Sequence, residues 1–142
     1  MSRIEASKLR DKAGQMRQAM ISLFYDSKPD WRRFSSGIAL LAVHSAILLM
    51  DAVRAELSSP RKGHWEHHES VDEFHKLCKS KGDSAGIKHI RWLIGYKHKI
   101  AYTSDRIDDS HVNAAIDHAE KFFTWANREY LKELQGVEEN FD

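Results

Sequence analysis

One cysteine, Cys78, stands among 142 residues, which excludes an intrachain disulfide and suits a reducing compartment. Two prolines and seven glycines leave the chain poor in turn residues and favour long helices. Residues 1–10 lack the apolar core of a secretory signal. The longest apolar run, 38–50, is broken by His44 and Ser45. It falls short of the about 20 residues that span a bilayer, so it reads as a buried helix of a cytoplasmic protein, with no membrane association expected. A net charge of +1 gives the whole molecule no general pull on nucleic acid. Glycine-rich phosphate loops, G-x-S-x-G elbows and C-x-x-C pairs are all missing, which sets aside the chemistries built on them. No cofactor is expected.

What is present is helical periodicity from end to end, in one domain over 1–142 with an acidic tail at about 136–142. A first helix over 3–25 carries Leu9, Ala13, Met16, Met20, Leu23 and Phe24 at three- and four-residue spacing. Pro29 ends it, and a long apolar helix follows over 31–57. Pro60 and Gly63 break the chain before a short amphipathic helix over 69–79, with Val71, Phe74 and Cys78 on one side. A fourth helix over 84–102 and a fifth over 110–134 complete an all-α, antiparallel four- to five-helix bundle. The helix over 31–57 is apolar nearly all round. It needs either a central place or a second copy against it, and a homodimer through this helix is the expectation.

Charge is unevenly spread. Seven bases face one acid, Asp83, over 76–99, whereas 103–142 carries ten acids against four bases. Such a dipolar surface steers an anionic ligand to one side. Within the basic stretch, Lys97 falls in the middle of the apolar arc of Ile87, Ile90, Leu93, Ile94, Ile100 and Ala101. A stranded ammonium in a dry site costs several kcal/mol, so Lys97 needs a partner. His44 and Asp51, two turns apart in the apolar second helix, are the economical candidates, and the three would form a small polar site with Tyr102. The alternative is an ion pair that only fixes packing. Along another stripe of the fourth helix lie Arg91, Gly95, His98 and Tyr102, with Lys88 beside them. Two cations, an imidazole and a phenol around a glycine suit a phosphate or nucleotide.

A histidine cluster, His64, His67, His68 and His75, invites a metal reading. His68, Asp72 and His75 fall on one helical face and are an acceptable ligand triad, although no recognised metal signature such as H-E-x-x-H accompanies them.

The segment 93–102, L-I-G-Y-K-H-K-I-A-Y, followed by a polar loop and A-A-I-D-H-A-E-K-F over 114–122, resembles the HEPN family of nucleotide-binding helical bundles. The segment 42–47, A-V-H-S-A-I, leading to Asp51-Ala52, adds to the likeness. The resemblance implies a four- or five-helix bundle, frequent homodimers and, in active members, metal-independent RNA cleavage by an arginine and a histidine of an R-N-x-x-x-H motif. Here Lys97 stands at the arginine position, His98 at the asparagine position and Tyr102 at the histidine position. Lysine holds a phosphate without the bidentate fork, and tyrosine is a poor base at neutral pH. The form thus implies a non-catalytic protein that binds RNA, a nucleotide or a partner protein in a stress, defence or toxin–antitoxin setting, through Lys97, Tyr102, His44 and Asp51, with Arg91 and His98 as outer phosphate contacts. Two alternatives stand beside it: a metal-independent endoribonuclease using Arg91 and His98, and a helical interaction module with no ligand.

Overall fold

A computed structural model describes residues 2–27, 30–57, 67–102 and 107–132. Pro29, the break at 58–66, His64, the loop at 103–106 and the acidic tail lie outside the described residues. The described chain is helical and contains no strand: α1 (Ser2–Asp26), a 3-10 turn (Asp30–Phe34), α2 (Ser35–Glu56), α3 (His67–Lys81), α4 (Ile87–Tyr102), α5 (Asp109–Ala126) and a π turn (Asn127–Leu131).

Helix α2 is the centre of the molecule, because α1, α4 and α5 all pack on it. Its side chains from Ile38 to Ala55 are buried on several faces, including Ala39, Ala42, Val43, Ala46, Leu49, Met50 and Val53. The helical stretch Asp30–Glu56 is long and apolar enough to cross a membrane by length and composition, which the run at 38–50 alone is not. Within the bundle, 61% of its most apolar window is buried, as expected of a core helix. Helix α1 lies along α2 through Ala6, Ala13 and Met20, all fully buried at seven-residue spacing. Two alanines in that seam leave little side chain to hold the backbones apart.

Helix α3 docks through Val71, Phe74 and Cys78, one stripe of three- and four-residue steps. It ends in a Schellman motif: the Asp83 N–H donates to the Cys78 carbonyl at 3.2 Å and the Gly82 N–H to the Lys79 carbonyl at 3.2 Å. Gly82 sits at φ +94°, where a residue without Cβ is favoured. The turn beyond it is tied to the end of α5. Asp83 accepts from the Ala85 N–H at 3.0 Å and from the Trp125 indole N–H at 2.9 Å, while the Tyr130 hydroxyl donates to the Asp83 carbonyl at 2.5 Å.

The fifth helix departs from simple periodicity, which predicts one element to 134. After Ala126 the coil widens into the π turn. Arg10, mostly buried at 9% exposure, donates from Nη1 to the Leu131 carbonyl at 3.2 Å, serving a backbone acceptor that the end of a helix leaves without an intrahelical donor. Arg17 clasps Glu120 across α1 and α5 with two hydrogen bonds of 2.5 and 2.6 Å.

Cys78 is fully buried, and burial pushes its thiol up to about 11. The thiolate is the reactive species, so iodoacetamide at neutral pH should leave native Cys78 unlabelled and modify it only on unfolding. Rapid labelling of the native protein, read by mass spectrometry, would contradict this burial.

Candidate functional site

The residues singled out by sequence fall in three places. Lys97 is half-buried rather than central in the core. Its charge acts on His44 of α2, which burial, and then Lys97, holds below the usual imidazole range. Asp51, 12% exposed, approaches Arg54 on the next turn of the same helix at 3.6 Å, with the Arg54 side chain 4% exposed. Asp51 thus has Arg54 beside it within α2, and the charge of Lys97 on α4 reaches His44 on α2.

Arg91 is engaged by α3. Its Nη2 lies 2.9 Å from the Asp72 carboxylate and 3.3 Å from His75 Nδ1. Two members of the metal triad thus face a guanidinium, and the side chain of His68 lies outside the described residues. Among the described residues no group of three histidine, cysteine or carboxylate ligands converges. His98 is exposed on α4, and Tyr102 is the last residue of that helix, its side chain also outside the described residues. Lys88 is exposed at the start of α4.

The densest constellation lies between α4 and α5, and sequence reasoning missed its two central members. His89 of α4 and His118 of α5 meet with Nδ1 atoms 2.9 Å apart. One ring must donate and the other accept, so the pair holds complementary tautomers when neutral. The His118 ring stacks on Trp92, centroids 4.5 Å apart, Trp92 stacks on Tyr96 at 5.1 Å, and Tyr96 meets His111 at 5.3 Å. The rings form a ladder because α4 presents His89, Trp92 and Tyr96 at steps of three and four, while α5 presents His111 and His118 seven apart. Those spacings are the one trace of the ladder in the sequence. That the two stripes face each other is a tertiary fact.

Beside the pair opens a groove of about 410 Å³ whose walls include Lys88, His89, Lys121 and Arg128. Glu120 also lines it, but both its oxygens accept from Arg17. Lys121 lies 2.9 Å from Asp117, both more than half exposed, a pairing of small energy in water. Burial depresses the basicity of both rings. For His89 the charges of His118, Lys88 and Lys121 add to that effect and Asp117 opposes it. For His118 Asp117 opposes it, and Lys121 and Lys88 add to it. Such a groove favours anions, and phosphate oxygens suit its mixture of ammonium, guanidinium and imidazole donors.

The three depressed histidines give folding a pH dependence of defined sign. Their unfolded rings take up a proton near pH 6.5, whereas in the fold His44, His89 and His118 titrate lower. The stability they contribute is present above the unfolded value and is lost as pH falls through it toward the folded values. Thermal melts should therefore show Tm declining from about pH 7.5 to about pH 5.5, with a shallower decline in His118→Gln. An identical profile in that variant would remove His118 from the linkage. Compared with protein-family models, with curated proteins and with solved structures, the chain matches none.

Proposed function

We propose that this chain is an antiparallel, HEPN-like bundle that binds RNA or a nucleotide through its phosphates without cleaving it, in a stress, defence or toxin–antitoxin setting. The observation that carries the reading is the α4–α5 groove, lined by Lys88, Lys121 and Arg128, the last paired with Glu129 at 2.7 Å, beside the paired imidazoles of His89 and His118. This moves the anion contact from Lys97 and Tyr102 to the opposite partner of α4. Binding is favoured over cleavage because Arg91, the cation that an Arg91–His98 mechanism requires, is shared with Asp72 and His75. The homodimer remains part of the proposal and rests on Leu40, Leu41 and Leu48, apolar side chains of α2 that the chain leaves partly exposed. Light scattering of the purified protein tests it.

Fluorescence anisotropy with a labelled oligoribonucleotide at low salt tests the site. Saturable binding is expected, steeply weakened by salt as phosphate contacts require. Lys88→Ala with Lys121→Ala should weaken it about tenfold or more and flatten the salt slope by about two, while Lys97→Ala leaves it unchanged. The same samples, held in excess chelator, should return intact RNA. Binding that survives the double variant but fails in Lys97→Ala would return the site to α2 and α4. Absence of any binding would leave the interaction-module reading.

A further inference from the structure

We propose that the His89–His118 pair is a proton-coupled latch on this groove, closed on itself when neutral and opened by a phosphodiester oxyanion that is bound together with protons. The inference rests on the reading of the groove as a phosphate site and adds how that site is regulated.

The geometry is specific. The two Nδ1 atoms are 2.9 Å apart, so each occupies the position where the other would need an anion. In the neutral pair a single N–H lies between them, and neither Nδ1 is offered to the groove. Putting a hydrogen on both Nδ1 atoms sets two donors face to face, and full protonation adds like charge. An oxyanion accepting from both removes the clash and neutralises the charge. The surrounding groups push the same way. Lys88 of α4 and Lys121 of α5 disfavour protonation of the empty pair, and Asp117 of α5 favours it. A bound phosphate reverses that balance, since it screens the lysines and pairs with the imidazoliums. Proton balance is simple: each neutral ring carries one N–H, so conversion to two imidazoliums takes up two protons from solvent, and to one imidazolium takes up one. Trp92 holds the His118 plane by stacking, so the larger motion falls to His89.

The test uses an oligouridylate, whose bases and diesters do not titrate in the working range. Affinity should rise at least about tenfold from about pH 8 to about pH 5.5. Calorimetry at neutral pH in two buffers of different ionisation heat should show uptake of about one proton or more. His118→Gln and His89→Gln keep Lys88, Lys121 and Arg128, so they should bind at about pH 8 and lose the rise at low pH. Because a variant can disturb packing, imidazole NMR of the unaltered protein gives a second reading. Oligouridylate should raise the titration midpoints of His89 and His118 and leave His44, on the α2–α4 contact, where it was. Binding with unchanged midpoints, or with the same pH slope in both variants, overturns the latch and leaves the phosphate site standing. No binding at any pH overturns both.

Discussion

Gly86→Ala should destabilise the protein by about 3 kcal/mol, the upper end of what overpacking a core costs. A Cβ at Gly86 falls 2.2 Å from Trp125 Cε3 and 2.3 Å from its Cδ2, far inside contact distance. Ordinarily a side chain of that size could swing away. Here it is held on several sides, with Phe74 at 6.1 Å, Phe122 at 5.7 Å and Tyr130 at 5.3 Å between ring centroids, and its indole N–H donates to Asp83. Relief must therefore come from moving the start of α4 or breaking that hydrogen bond. Urea unfolding monitored by tryptophan fluorescence should show the loss, with Tm lower by about 10 °C for a chain of this size. Gly95→Ala is the control: a Cβ there meets nothing within 4 Å, and an alanine in an exposed helical position should stabilise by several tenths of a kcal/mol. Equal stability of Gly86→Ala and the unaltered protein would show that Trp125 yields freely.

The second large effect is expected at Phe74. Its side chain is fully buried and meets Phe122 at 6.2 Å and Trp125 at 6.1 Å, both edge-on. Truncation to alanine removes the largest anchor that α3 has and leaves a cavity among aromatic rings, for about 3–5 kcal/mol. Phe74→Leu, which keeps much of the volume, should cost less than about half as much. The damage should be local at first. Helix α3 is held by one apolar stripe and by the partly exposed contacts of Asp72 and His75 with Arg91, so hydrogen exchange in Phe74→Ala should accelerate in α3 before α2. Uniform acceleration would mean that α3 unfolds only with the whole bundle.

These two positions show how differently the chain's features announce themselves. Phe74 is legible from periodicity, because Val71, Phe74 and Cys78 recur at helical spacing and all three are buried. The same reasoning located α1 through Met20 and α2 through its apolar run, and placed the first four helices within about four residues, whereas the α-helical part of the fifth ends at Ala126 and not at 134. Gly86 is silent in sequence: its role depends on Trp125, 39 positions away, arriving at that turn. The π turn after Ala126 is equally silent, since what accompanies it is Arg10 at the far end of the chain.

The site divides in the same way. Lys97 and His44 are visible as polar residues on apolar faces, and His44 does feel the charge of Lys97. Arg91 stands out as a cation in a helical stripe, but its neighbours Asp72 and His75 come from another helix. His89 and His118 carry no local mark beyond their spacing, as each is a half-buried residue of an ordinary amphipathic helix. Hydrophobic periodicity is a property of one helix, and it determined by itself that the chain is helical, where each helix lies and which stripe turns inward. Which helix each stripe meets is decided by packing of the whole, because side chains three and four apart share a face while the opposing face comes from anywhere in the chain. The core was thus written locally, whereas the imidazole pair and its cationic groove exist only once α4 and α5 lie side by side.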